Sequence, residues 1–265
     1  EQIGVVFERK KLKDYQLPGF IETYMKQQKA TIEPKAVQMV ADHIGADLHR
    51  LTSELDKLLI SLPDSDRRVT PSVVERAFDI AVSGVICLCF LPFIPIIALI
   101  IKIQSPGPIF FRQARTGLNG DTFMCLKFRS MHVNKDSDKA QATKNDPRKF
   151  AFGNFMRKTN IDEFPQFINV LKGDMSIVGP RPHMLYHTEV YGSLIDKYMV
   201  RHFCKPGITG WAQVTGFRGE TKELWQMEER IRRDIWYIEN WSFWLDIKII
   251  FMTAKSIICP DKNAY

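Results

Sequence analysis

Apolar residues recur at helical spacing through the first quarter of the chain. They predict helices over residues 17–28 and 34–44, and a third over 47–62 carrying Leu48, Leu51, Leu55, Leu58, Leu59 and Leu62. Pro63, Asp64 and Ser65 then break the pattern. Residues 1–7 read as the end of a strand. The character then changes. Residues 80–101 hold no charged side chain, a run of about 22, long enough to span a bilayer as a helix. Pro92 and Pro95 stand in its middle, where each removes a backbone donor and bends a helix. Both flanks are basic, with Arg67, Arg68 and Arg76 before and Lys102, Arg112 and Arg115 after. The positive-inside tendency keeps both ends on the cytoplasmic side. A bent helix that enters and leaves by one face satisfies both observations. An ordinary buried core helix is the alternative.

Beyond Pro106-Gly107-Pro108 the period shortens to two. Residues 109–131 predict a hairpin that turns at Leu118-Asn119-Gly120-Asp121. On its second strand Cys125, Lys127 and Arg129 share one face, and Met124, Leu126 and Phe128 the other. Lys127 and Arg129 thus project together, as a phosphate site needs, or as a solvated basic face would. A polar loop follows over 133–149. Short helices are expected over 150–157 and 161–171, the latter stopped by Lys172-Gly173. Longer ones are expected over 186–201 and 223–238, around a Gly- and Thr-rich loop at 208–221. The tail gathers Trp236, Tyr237, Trp241, Phe243 and Trp244 beside an apolar run, as at a membrane interface or in a core helix.

Charge narrows the partners. A net +7 and a pI near 9.1 fit nucleic acid, anionic lipid or a phosphorylated substrate without choosing among them. The five cysteines form no CxxC pair, which reads as a reduced, cytosol-facing protein without structural zinc. No cleavable signal is expected, since the one long apolar segment starts far from the N-terminus.

Candidate chemistry concentrates in residues 157–182. Asp162 and Glu163 are adjacent, Arg157 and Lys158 lie just upstream, and Arg181 is fixed between Pro180 and Pro182. Carboxylates that bind a divalent cation, with guanidiniums that grip phosphate oxygens, point to chemistry on phosphates. The competing reading makes Thr159 or Asn160 a helix N-cap, with the acids favoured in a first turn. In such a turn the two acids would diverge by about 100° and do different jobs, one attacking while the other holds a metal. His183 and His187 lie four apart, but no third zinc ligand accompanies them, so they read as surface or substrate-contact residues.

Residues 74–265 resemble the bacterial sugar transferases, specifically the monotopic polyprenyl-phosphate phosphoglycosyl transferases. The blocks SPGPIFFRQARTG, LKFRSM, RKTNIDEFPQFINVLKGDMSIVGPRP, KPGITGWAQVTGFRGET and YIENWSFWLDIKIIF stand in that family's order. The resemblance implies an α/β fold, a small monotopic catalytic domain (105–265) on a re-entrant membrane helix (76–104) broken at Pro92 and Pro95. It implies transfer of a sugar 1-phosphate from a UDP-sugar to undecaprenyl phosphate, with release of UMP, as the first membrane step of exopolysaccharide or O-antigen assembly. Asp162 would be the nucleophile that carries the phosphosugar, and Glu163 would bind Mg²⁺. Lys127, Arg129, Arg157 and Arg181 would neutralise the diphosphate, while Thr209 and Gln213 would shape the pocket. The implied place is the cytoplasmic face of the bacterial inner membrane, among membrane lipid, with no nucleic-acid partner. Residues 1–75, through VVFERKKLKDYQLPGFIETYMKQQ and ADHIGADLHRLTSELDKLLISLP, resemble a fragment of the clamp-loader delta subunit of DNA polymerase III. That helical fragment is assigned no activity, although it suggests a rival reading as a membrane-tethered replication module. The sugar, the base, the prenyl length and any homo-oligomer stay open.

Overall fold

The computed structural model describes residues 13–258 apart from 45–47, 61–67, 135–142, 144–145, 220 and 222. The strand expected at 1–7, the break at 63–65 and much of the loop at 133–149 lie outside the described residues. The chain divides into two compact units, 1–78 and 79–265. The first is helical: α1 (Leu17–Gln27), α2 (Pro34–Ile44) and α3 (Leu48–Ile60), with a short parallel pair of β1 (Thr31–Ile32) and β2 (Arg68–Val69). Its core takes Ile21 and Met25 from α1, Val37 and Val40 from α2, and Leu51 and Leu55 from α3. Leu51, Leu55 and Leu58 of the stripe that predicted α3 are its buried face, and Leu62 lies outside the described residues.

The apolar run begins in α4 (Pro71–Phe90), passes through a 3₁₀ turn at Leu91–Phe93 and ends in α5 (Ile94–Gln104). Over Val73–Gln104, 32 residues, it is long and apolar enough to cross a membrane by length and composition. Leu88, Leu91, Phe93, Ile96, Leu99 and Ile103 stay exposed. Pro92 falls in the 3₁₀ turn and Pro95 in the first turn of α5, where a missing N–H costs no helical bond.

The hairpin forms where the alternation places it. β3 (Phe110–Thr116) pairs antiparallel with β4 (Thr122–Phe128), with Gln113 opposite Cys125, and Asn119 and Gly120 take positive φ at the turn. After α6 (Ala151–Thr159), the helix expected over 161–171 divides into a 3₁₀ turn, Ile161–Glu163, and α7 (Gln166–Lys172). Pro165 is the cause, since it gives the chain no N–H with which to continue a helical ladder. Next come β5 (Ser176–Val178) and α8 (Leu185–Leu194). The helix predicted over 186–201 stops early because Ile195 is extended and Lys197 left-handed, and a 3₁₀ turn at Tyr198–Phe203 follows. β6 (Gly207–Thr209) pairs parallel with β5, and α9 (Trp211–Val214), α10 (Leu224–Glu239) and α11 (Phe243–Ile258) complete the unit. The architecture is mixed but mostly helical, with three two-stranded sheets among the described residues.

Three anchors tie the apolar run to the rest of this unit. Asp79 accepts the Ile177 N–H of β5 at 3.0 Å, satisfying a buried backbone donor. Phe90 stacks on Phe164 with centroids 4.1 Å apart, and Ile97 and Ile101 are buried with Phe128 and Met156. Burying side chains of that size stabilises the fold by roughly 1.5–3 kcal/mol each. Gln104, the last residue of α5, accepts the Phe152 N–H at 2.8 Å and so satisfies a free donor in the first turn of α6. Close packing also fixes α6 against the chain leaving β4: a Cβ on Gly153 would sit 2.0 Å from the Ser130 carbonyl oxygen. Gly153→Ala is therefore expected to destabilise the protein by about 1–3 kcal/mol. Gly192→Ala in α8, where an added Cβ meets only ordinary contacts, should be neutral or slightly stabilising. Thermal denaturation of both variants checks the difference.

Candidate active site

The adjacent acids sit on a tight corner. α6 ends at Thr159, Asn160 takes the left-handed conformation (φ 59°, ψ 14°), and Ile161–Glu163 close a single 3₁₀ turn. Asn160 stands at the N-cap position, yet its side chain makes no cap. Its Oδ1 instead accepts Arg218 Nη2 at 2.6 Å, while its carbonyl accepts the Glu163 N–H at 3.1 Å. The corner throws the two carboxyls into different surroundings.

Glu163, 9% exposed, faces two cations. Lys127 Nζ donates to Oε1 at 2.7 Å, and the Arg181 guanidinium donates to both carboxylate oxygens, with Nη1 at 3.3 Å from Oε2. Burial opposes its ionisation, but Arg181 and Lys127 outweigh burial and hold the carboxyl well below the usual carboxylate range. Asp162 is 4% exposed, and among the described residues nothing hydrogen-bonds its carboxyl. Burial lifts its pKa to about 6; Lys127, Arg157 and Arg181 pull the other way, and Glu163 adds to the rise. One acid is locked in an ion pair. Its neighbour is not.

Arg181 is held through the backbone on either side of it. Pro180 and Pro182 have no N–H to offer, so this segment is fixed by its carbonyls. The Pro180 carbonyl accepts Gly207 N–H at 3.0 Å, Arg181 accepts Arg201 Nη2 at 2.7 Å, Pro182 accepts Arg115 Nη1 at 2.6 Å and His183 accepts Thr116 N–H at 3.1 Å. A cavity of about 700 Å³ opens beside it, lined by Asp162, Lys127, Arg157, Arg181 and Arg218 among others. That volume suits a nucleotide-sized ligand. The Arg157 side chain, near the end of α6, makes no hydrogen bond among the described residues. A buried carboxylate facing a cavity ringed by cations can attack, or bind, a polyanion.

The profile of the bacterial sugar transferases matches residues 70–260. The chain belongs to this family. It is 50% identical over 222 residues to the UDP-glucose:undecaprenyl-phosphate glucose-1-phosphate transferase of Escherichia coli, covering 82% of this chain and 47% of that protein. It is 53% identical over 196 residues to the protein of the same name from Xanthomonas campestris, covering 73% and 40%. The like-named protein of Caulobacter vibrioides is 45% identical, covering 75% of this chain and 74% of its own length. The chain thus spans less than half of the first two.

Within this sugar transferase, the residues expected to act together do so unequally. Lys127, Arg157, Arg181 and Asp162 meet at the cavity, with Glu163 behind Lys127 and Arg181. Lys127 and Arg129, expected to project together, reach one cavity but take different partners. Arg129 also lines the cavity, but its guanidinium donates to the Ser105 and Pro106 carbonyls just past α5. Thr209 and Gln213 do not line it: Thr209 bonds Thr253 of α11 at 2.6 Å, and Gln213 Nε2 bonds the Ile208 carbonyl at 3.1 Å. Of the two readings for His183, the surface one fails: it is buried, with Nδ1 2.7 Å from the Tyr198 hydroxyl, and lines the cavity with His187. Sequence reasoning passed over Arg115 and Arg218. The period-two alternation of β3 puts Arg115 on the face of Gln113, and Arg218 is the cation of the GFRG loop, so both left a signal.

As for a metal, Mg²⁺ is usually held by one or two carboxylates plus substrate phosphates. Asp162 and Glu163 supply that number, and no group of three or more His, Cys, Asp or Glu gathers among the described residues. The donor set fits an ion that arrives with a diphosphate. The contrast between the acids is measurable. In carboxyl-labelled protein followed by NMR, one resonance lost in Asp162→Asn should titrate near pH 6, while Glu163 stays ionised well below that. Both acids titrating in the ordinary carboxylate range would contradict the assignment.

Proposed function

We propose that this sugar transferase moves a sugar 1-phosphate from a UDP-sugar to undecaprenyl phosphate, releasing UMP, through a phosphosugar carried on Asp162. The observation that carries the reading is the unequal state of the two acids. Glu163 is tied to Lys127 and Arg181, whereas Asp162 faces the cavity with its lone pairs unclaimed by any described hydrogen bond. A pKa near 6 leaves Asp162 largely ionised at neutral pH and more basic than an exposed aspartate. An Asp162 carboxylate oxygen attacks the phosphorus next to the sugar. The bond from that phosphorus to the bridging oxygen breaks, and UMP leaves with the electron pair. A phosphate oxygen of undecaprenyl phosphate then attacks the same phosphorus, giving the lipid diphosphate sugar and restoring the carboxylate.

Two polyanions must approach a carboxylate, so charge has to be neutralised first. Lys127, Arg157, Arg181 and Arg218 ring the approach to Asp162. Glu163 would hold Mg²⁺, which when bound neutralises diphosphate charge as a Lewis acid. The names of the relatives make UDP-glucose the first donor to test.

The same reading puts the apolar run in the cytoplasmic face of the inner membrane as a re-entrant helix. The 3₁₀ interruption at Pro92, the exposed apolar side chains around it and the basic flanks support this. Phe90 of that run stacks on Phe164, two residues after Asp162, which supports a reacting carboxylate close to lipid, where a polyprenyl acceptor resides.

Asp162→Asn should abolish turnover with the fold retained, and wild type should release UMP rather than UDP. Near-normal turnover by the variant, or UDP as the product, would refute the mechanism. In wild type, kcat/KM should fall about tenfold per pH unit below pH 6, as Asp162 takes up its proton. Single cysteines at positions 74 and 106 should both resist a periplasmic thiol reagent. Labelling of either one from that side would mean the segment crosses.

A further inference from the structure

Behind Arg181 lies a buried ion pair that the transfer chemistry does not touch. Arg201, on the 3₁₀ turn Tyr198–Phe203, is 2% exposed, and its Nε and Nη2 donate to Asp234 Oδ2 of α10 at 3.0 and 2.8 Å. The same Nη2 donates to the Arg181 carbonyl at 2.7 Å. Apolar side chains often replace a buried ion pair without loss of stability. A pair kept here, with one donor turned onto the backbone of a site residue, suggests a task beyond folding. Prolines on both sides fix φ at 180 and 182 near −65°, so the orientation of the Arg181 carbonyl is the main freedom left to that peptide. Whatever holds the carbonyl also aims the side chain.

We infer that Arg201, held by Asp234, is a positioning residue for the transfer: it fixes the Arg181 carbonyl and so aims the Arg181 guanidinium at Glu163 and the cavity. This rests on the proposed role of Asp162. The linkage runs from α10 through the 3₁₀ turn to the Pro180–Pro182 segment, and from there to the acid pair. The turn grips the next residue too, through Tyr198 and His183. A rigid support of this kind matters because misplacing a catalytic cation by an ångström costs rate more than binding.

The test uses the full chain in lipid nanodiscs, with UDP-glucose and undecaprenyl phosphate. Asp234→Asn keeps an acceptor oxygen in place but removes the charge, and Arg201→Lys cannot reach both partners. Each should lower kcat by about 10- to 100-fold with little change in donor KM. Ile231→Val, a core change in the same helix α10, serves as the stability control and should alter neither. Wild-type kcat in folded Asp234→Asn would overturn the inference, as would activity that merely tracks the folded fraction. If the single variants do not fold, the double change Arg201→Met with Asp234→Leu decides: a low kcat in that folded protein supports the role, and full activity overturns it. An inactive Asp162→Asn beside an unaffected Asp234→Asn sinks this inference alone, whereas an active Asp162→Asn sinks the reading beneath it.

Discussion

A carboxylate enclosed by two cations, Glu163 between Lys127 and Arg181, is the contact on which the rest of this site depends. Each of the three charges would be costly to bury alone, by several kcal/mol, and together they are tolerable only if geometry is kept. They come from three separate segments: the hairpin strand β4, the 3₁₀ corner after α6, and the proline-flanked residue after β5. The folded chain has to bring all three to one point. Much of the local structure reads as the means of doing so, from the left-handed Asn160 to the four held carbonyls over residues 180–183. The consequence for chemistry is what remains. With Glu163 absorbing the nearest cations, its neighbour Asp162 is left buried, ionisable and facing the cavity.

That arrangement also sets a balance between attraction and reactivity. A carboxylate paired as tightly as Glu163 is a weak nucleophile, because its lone pairs are engaged and its basicity is lowered. Burial without pairing raises basicity, and Asp162 takes that route. The cations near it lie close enough to favour its charge without a direct hydrogen bond among the described residues. Two residues of the same chemical type, side by side in sequence, thereby acquire distinct properties from a single backbone corner.

Most elements were legible in the sequence because their signals are local. The leucine stripe of α3, the Asn-Gly turn of the hairpin and the Gly173 stop of α7 each follow from one backbone preference or one periodicity. The acid pair and Arg181 were legible as chemistry as well, since adjacent carboxyls and a proline-locked arginine are unusual in an ordinary surface segment. What sequence did not show depends on tertiary contact. Period-two alternation put Lys127 and Arg129 on one face, and both line the cavity, but it could not show that Lys127 pairs with Glu163 while Arg129 turns to the carbonyls beyond α5. Thr209 and Gln213 stand in a Gly-rich segment that reads as a ligand loop, yet their side chains serve α11 and their own turn. The Arg201–Asp234 pair, 33 residues apart, gives no local signal at all.

The central claim is that Asp162 itself takes the phosphosugar, and intact-protein mass spectrometry tests it most directly. Wild-type protein given UDP-glucose without a lipid acceptor should gain the mass of one hexose phosphate and lose it when undecaprenyl phosphate is added, and Asp162→Asn should gain nothing. Protein that turns over yet never carries the adduct, or an adduct that persists in Asp162→Asn, would contradict the account.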